Sequence, residues 1–458
     1  MKAQKIVCLL LGAAIFLFAE ENAQFLSKAT SSKLTLTSAI EQAVANNPEL
    51  KAKKSDINAQ EQKFNLAQSA QMPTLALEGS VARFDIDQRL VAASFNGEPG
   101  EFGGNVLQSS LVMKIPLYVG GKIVADIEAN RYLVMAQKHL LANSQNELIF
   151  NIRTLFWSIY TQEKTIESLL FSLDTMQKHQ NEVQLQYELK DVAKVDILKT
   201  NVRIADLKQM LEDAKNKLSA LYSILYITIG FDNYFNDDGV KIDMDEMDMQ
   251  FDHTFMLPKD LYQKALQNRG DYLSLKAKLE ALKQEVIIAK AGDKPTVGFY
   301  GNYTYRDLMD EANSDESTGS IGLSFSIPLY TGGATEAKIG VSYANLQATK
   351  ERLLSLELKI QNEIRNAISE FESSRKRAKL AKEAIDFALE NLRIEELKYS
   401  LGKGSQTDLM DAQNDLLNAQ TNHAKMVSLG HIAYAKIIYA TGEDYTQTNA
   451  NQRKSNVQ

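Results

Sequence analysis

Ile115-Pro116-Leu117-Tyr118-Val119-Gly120-Gly121 recurs as Ile327-Pro328-Leu329-Tyr330-Thr331-Gly332-Gly333, an offset of 212 positions (327 − 115). The same offset carries Tyr187 to Tyr399, Asp196 to Asp408 and Gly230 to Gly442, so the chain is a tandem duplication. A period this long is not a solenoid unit. Each copy is expected to be one large supersecondary block, and the two blocks to be related by pseudo-symmetry in a single architecture.

On the C-terminal side of each motif the chain is free of proline, over 122–257 and 329–458. With 7 prolines and 23 glycines in 458 residues there is little to interrupt long elements, and these two tracts are read as helical. Each half is expected to run helix, strand, strand, very long helix, helix: 38–71, 74–87, 105–118, 122–189 and 194–228, then 258–292, 296–306, 318–329, 334–401 and 405–440. The order αββαα therefore occurs twice.

The long helices carry a 4-3 alternation of apolar residues, the seam of a coiled coil. In the second half it comprises Ile360, Ile364, Ala367, Phe371, Ala378, Ala381, Ile385, Ala388 and Leu392. Leu148, Ile152, Leu155, Ile159, Ile166, Leu169, Leu173 and Met176 hold the matching register in the first half. A helix of roughly 68 residues spans ~100 Å, and the two shorter helices of a half would stack end to end to a similar length.

The strands on the N-terminal side alternate with period two. Val297, Phe299, Tyr303 and Tyr305 oppose Thr296, Asn302, Thr304 and Arg306; Ile321, Leu323, Phe325, Ile327 and Leu329 oppose Gly322, Ser324, Ser326 and Pro328. In the first half Leu107, Leu111, Met113, Ile115 and Leu117 oppose Gln108, Ser110 and Lys114. An oily face backed by a polar one fits a soluble sandwich or a membrane barrel. Four strands in one chain cannot close a barrel, and open edges in lipid leave backbone groups unpaired, so several chains must share the closure. Two copies would give eight strands with a filled interior; three would give twelve, wide enough for a channel.

Lys2 and Lys5 followed by the apolar run Ile6–Ala19 match a secretory signal over residues 1–19, and the run is too short for a membrane anchor. The only cysteine, Cys8, lies inside it, which excludes disulfides, thiolate metal sites and cysteine nucleophiles from the mature chain. A net charge of −7 argues against nucleic acid as a partner. The expected organisation is a signal over 1–19, a first repeat over 34–230, an acidic connector over 231–257, a second repeat over 258–442 and a polar disordered tail over 443–458.

The duplication, the joint motif in both halves and the tip sequences Tyr187-Glu-Leu-Lys-Asp-Val-Ala-Lys-Val-Asp196 and Tyr399-Ser-Leu-Gly-Lys-Gly-Ser-Gln-Thr-Asp408 together resemble the TolC-like outer-membrane efflux protein family. The resemblance covers residues 34–442. It implies a mostly α fold with a small β part: a homotrimer forming a 12-stranded outer-membrane β-barrel continued by a 12-helix periplasmic α-barrel. The implied function is the outer-membrane channel of a tripartite efflux or type I secretion system, meeting a periplasmic adaptor protein and an inner-membrane pump. It implies no chemistry and no cofactor of its own.

The resemblance also assigns residues. Asp408 and Asp411 match the aspartates that ring the family's closed periplasmic entrance; at i and i+3 they share a helix face, and such a ring favours cations over anions. Asp196 and Tyr399 match partners in a latch that holds the tunnel shut. Where the family example carries an arginine this chain has Gly404, which implies a weaker latch unless Lys190, Lys194 or Lys403 substitutes as a point charge. Gly402 and Gly404 in the tip, with Pro116, Gly120, Gly121, Pro328, Gly332 and Gly333 at the strand-to-helix joints, are read as turn formers. Tyr118 and Tyr330 could anchor at a membrane interface or pack as aromatic core.

Met244, Met247, Met249 and His253 in the connector invite a soft-metal reading, but scattered methionines in a linker are read as solvated rather than ligating. His139, His179, His423 and His431 are isolated and show no zinc spacing. No phosphate loop, triad or metal cluster supports an enzyme. The competing class is a non-pore coiled-coil structural protein of the periplasm or cell surface, which accounts for the heptads but not for the strands or the glycine-marked joints.

Overall fold

The computed structural model describes residues 34–89, 102–231, 242–243, 258–309 and 315–443. The signal segment with Cys8, the connector methionines with His253, and the tail beyond Glu443 lie outside the described residues. The elements run β1 (Leu34–Thr35), α1 (Leu36–Asn46), α2 (Pro48–Ser69), β2 (Thr74–Arg89), β3 (Phe102–Val119), α3 (Lys122–Glu188) and α4 (Lys194–Ile229). They continue with β4 (Ile242–Asp243), α5 (Pro258–Asn268), α6 (Gly270–Lys290), a 3-10 turn (Ala291–Asp293), β5 (Thr296–Leu308), β6 (Asp315–Ser326), α7 (Ala334–Ser400) and α8 (Gln406–Thr441).

The described residues divide into two compact units, one drawn from within 51–144 and 262–362, the other from the rest. Among the described residues no helix is long and apolar enough to cross a membrane.

The first unit holds a four-stranded antiparallel sheet of order β2-β3-β5-β6. Its register puts Leu75 opposite Met113, Met113 opposite Gly301, and Gly301 opposite Ile321; one row on, Leu77, Leu111, Tyr303 and Gly319 line up in turn. This face is uncovered, with Leu77 76% and Ile321 79% exposed. The opposite face is polar: the Ser110 and Thr304 hydroxyls are 3.0 Å apart, and Arg306 donates to Gln108 at 3.1 Å. The central strands are paired on both sides, whereas β2 and β6 each carry one unpaired edge within the chain.

Four expectations change. The helix expected over 38–71 is two helices, because Asn47 turns out of α1 and caps α2, its Oδ1 accepting from the backbone of Glu49 (2.9 Å) and Leu50 (3.1 Å) while Pro48 opens the new helix. The helix expected over 258–292 is likewise broken at Arg269. Gly270 follows because a side chain there would collide with the backbone of His139 and Asn143 on α3.

In the sheet, the ladder shifts between Pro116 and Tyr118, so Leu117 leaves the pairing and Tyr118 joins the row of Val297 and Phe325. Proline donates no hydrogen bond and is tolerated at such a bulge. In the second copy β6 ends at Ser326, short of the expected 329, because its partner β5 begins at Thr296, opposite Ser326 and directly after Pro295.

The second unit is built of the C-terminal parts of α3 and α7 with α1, α4 and α8. Met176 and Leu169 of α3 pack with Ile204, Leu207 and Leu211 of α4 and Leu417 of α8; Leu392 of α7 packs with Leu409, Ala412 and Leu416 of α8. Seam positions are buried as read: Ile152 and Ile159 are 0%, Ile364 1% and Phe371 2% exposed. Leu155, Ile166 and Leu173 are only half-buried, and Phe156 takes a core place beside them. Gly230 and Gly442 end α4 and α8 in the left-handed conformation, which glycine adopts without strain.

Candidate gate at the helical tip

The turns between α3 and α4 and between α7 and α8 share one backbone pattern. Lys190 N–H donates to the Tyr187 carbonyl (2.9 Å) and Asp191 N–H to that of Gln186 (2.8 Å); Gly402 donates to Tyr399 (3.0 Å) and Lys403 to Lys398 (2.8 Å). Lys190 and Gly402 occupy equivalent positions with φ of 68° and 67°, and Lys190 is the one non-glycine residue with positive φ among the described residues. Gly404 closes the second turn by donating to the Lys398 carbonyl at 3.0 Å. A Cβ at 404 would stand 3.0 Å from the Tyr399 nitrogen and the Lys398 Cβ, so this turn crowds out a larger residue there.

Three groups of hydrogen bonds tie the first tip to the second. The Tyr399 hydroxyl donates to Gln186 Oε1 at 3.2 Å. Gln406 Nε2 donates to the Asp196 carbonyl at 3.0 Å and to Thr200 Oγ1 at 2.6 Å. Arg203 Nη2 donates to Asn414 Oδ1 at 2.7 Å.

Asp196 and Tyr399 are thus brought near one another, but Tyr399 bonds Gln186, and it is the Asp196 backbone that is gripped. Burial first, then the charges of Asp196 and Glu182, push the Tyr399 phenol above its ordinary pKa of 10.0. The phenol remains a donor at neutral pH. Lys190, Lys194 and Lys403 form no ion pair among the described residues; the arginine that does reach across is Arg203, two turns inside α4.

Asp408 and Asp411 are both exposed on α8, with Asp408 N–H donating to the Ser405 hydroxyl at 3.1 Å as an N-cap. Asp415 extends the same exposed face, since positions i, i+3 and i+7 align on a helix. The sequence reading missed Asp415, Gln186, Thr200, Gln406, Arg203 and Asn414. One signal existed: Gln406 and Gln413, seven apart, sit at core positions beside Leu409 and Leu416, and both are 7% exposed. A polar residue at a seam position specifies a partner.

At the joints, Gly120, Gly121, Gly332 and Gly333 all take positive φ, between 64° and 85°. Pro116 lies at the edge of the bulge in β3, and Pro328 lies beyond the end of β6.

The family model described as outer membrane efflux protein matches residues 39–226 and 261–443. The chain is 23% identical over 394 residues to the outer membrane efflux protein BepC of Brucella suis biovar 1 (strain 1330), covering 84% of this chain and 80% of that one. It is 21% identical over 406 residues to the outer membrane protein TolC of Escherichia coli (strain K12), covering 83% and 76%. Among solved structures, a membrane protein from Pseudomonas aeruginosa superposes with a TM-score of 0.78 at 15% identity, covering 90% of each chain.

Paired long helices and an amphipathic four-stranded sheet define an outer-membrane channel of the kind that serves tripartite efflux, set in the bacterial outer membrane and reaching into the periplasm. The chain belongs to the outer membrane efflux protein family.

Proposed function

We propose that three copies of this chain close their sheets edge to edge into a passive exit duct, a twelve-stranded barrel continued by a barrel of twelve helical columns and shut at its tip until a periplasmic adaptor and an inner-membrane pump engage it. The observation that carries this reading is the four-stranded sheet with one uncovered apolar face and unpaired edges at β2 and β6. In lipid each unpaired backbone group costs several kcal/mol, and pairing β6 of one copy with β2 of the next removes every edge. Three copies of four strands give a bore wide enough for solvent.

The tip supports the gate. Tyr399, Gln406 and Arg203 fasten the two hairpins, and the exposed Asp408, Asp411 and Asp415 would surround the entrance with carboxylates that favour cations. Arg203 offers the one charged donor among these ties and meets the neutral Asn414, so the ties themselves should depend little on ionic strength.

The test is detergent extraction from outer membranes, mass measurement, and conductance in planar bilayers. A trimer of low conductance that rises when Tyr399→Phe and Gln406→Leu are combined is expected. A water-soluble monomer without conductance would refute the duct; a trimer whose conductance ignores both substitutions would refute the gate.

A further inference from the structure

We propose that His179 makes closure of this tip proton-sensitive, the neutral imidazole holding Tyr399 in place and its protonation releasing it. The inference rests on the gate reading above and adds its regulation. His179 lies on α3 seven residues before Gln186, so both point from one helix face. Its ring meets Tyr399 edge to face, centroids 5.0 Å apart at 68°, while Gln186 takes the Tyr399 hydroxyl. The ring and the hydroxyl of one tyrosine are thus held by two residues of the opposite hairpin.

His179 is 4% exposed, and its Nε2 is buried without a hydrogen-bond partner. Its neighbours one turn away on α3, Met176 and Val183, are 1% and 0% exposed and offer no side-chain acceptor stronger than the weak Met176 thioether. A neutral imidazole can leave Nε2 as an unused acceptor. An imidazolium has a donor on both nitrogens, so protonation would place an N–H and a positive charge where nothing receives them.

The charged and titratable groups nearby are few. On α3 itself Glu182 is exposed and favours the cation from a screened position; on α7 the facing group is Tyr399, a neutral donor; from α4, Asp196 acts on Tyr399. Burial outweighs Glu182 and holds the His179 pKa below its ordinary 6.5.

The sign follows from the two states. Well above pH 6.5 the imidazole is neutral whether the tip is shut or open, and closure is unaffected. Below it an opened, hydrated His179 takes a proton that the shut tip resists, so closure weakens as pH falls and levels off once the buried pKa is passed. The open-to-closed ratio should rise by at most about tenfold for each pH unit in that window.

The full trimer in planar bilayers, titrated from pH 8 to 5 at constant salt, tests this. The wild type is expected to open progressively below about pH 6.5, and His179→Phe, which keeps an aromatic edge but cannot titrate, to lose that rise relative to its own value at pH 8. His179→Gln serves where the phenylalanine variant does not assemble as a trimer. Any acid response surviving in both variants arises at groups other than His179. A flat wild-type profile, or an undiminished rise in the variants, overturns the proposal. If Tyr399→Phe with Gln406→Leu opens the channel at pH 8 while acid does not, the gate stands and only its proton sensitivity falls.

Discussion

The two tips have the same backbone and different anchoring. The second turn has a glycine at its left-handed position, Gly402, and Ser405 capping α8; the first has Lys190 in the same conformation and Ala193 at the cap of α4, with no side-chain bond. The joints differ likewise. Gly120 is crowded, a Cβ there standing 2.7 Å from the Lys294 side chain and 3.1 Å from the Ala291 carbonyl, whereas Gly332 has open space around it. Duplication copied the motifs, but each copy then met different neighbours, so equivalent residues now carry unequal loads.

The sharpest demonstration of shared architecture lies in the seam. Phe371 and Ile159 are equivalent by the repeat offset and almost fully buried, at 2% and 0% exposed. Phe371→Ala and Ile159→Ala are each expected to cost roughly 2–5 kcal/mol, the larger from the phenylalanine. Denaturant or thermal unfolding in detergent would measure both. A cost under about 1 kcal/mol at either site would mean that its copy of the seam relaxes freely and the pseudo-symmetry is only formal.

The joints should separate the copies instead. Gly332→Ala meets only the strain of a left-handed residue, about 1–2 kcal/mol, part of which is offset because alanine restricts the unfolded chain, leaving a net loss of about 0.5–1 kcal/mol. Gly120→Ala adds a collision with the Ala291 carbonyl, and its total should exceed that of Gly332→Ala by about 1 kcal/mol or more. Equal losses would show that the turn over Ala291–Asp293 yields easily and that the crowding is not structural.

These sites also mark what was legible in the sequence. The seam could be read because heptad burial depends on period alone, and Ile360, Ile364 and Phe371 are buried as the alternation requires. The sheet's two faces could be read for the same reason. The break at Arg269 could not, because it depends on how closely Gly270 approaches α3. Nor could the displacement of Leu117 or the early end of β6, which follow from which strand lies alongside. At the tip, position was legible and partnership was not: Asp196 and Tyr399 lie near one another, yet the bonds run through Gln186, Gln406 and Arg203. Long polar side chains find partners by tertiary approach, and a single sequence carries little trace of it.

Capping the weaker tip should bring it toward the stronger. Ala193→Ser places a hydroxyl where Ser405 sits in the other copy, and a gain of about 1 kcal/mol is expected, from the same unfolding measurement. No gain would indicate that the first turn holds its α4 donors differently from the second.

The smallest effect is also the most diagnostic, since it concerns a single dihedral angle. Lys190 holds φ of 68° with its side chain exposed and no ion pair among the described residues, so its side chain offers little to offset the strain. Lys190→Gly relieves about 1–2 kcal/mol of left-handed strain but frees the unfolded chain, leaving a net gain of about 0.5–1 kcal/mol. Gly402→Ala, its mirror in the second copy, should lose a similar amount, because a Cβ there meets nothing within 4 Å and only the backbone conformation resists it. Opposite signs at equivalent positions would show that both turns demand the same backbone and that only one copy has the residue suited to it. Should Lys190→Gly destabilise instead, the lysine would have to be held in the assembled tip by a contact from a neighbouring copy, and the comparison would then report on the trimer rather than on the turn.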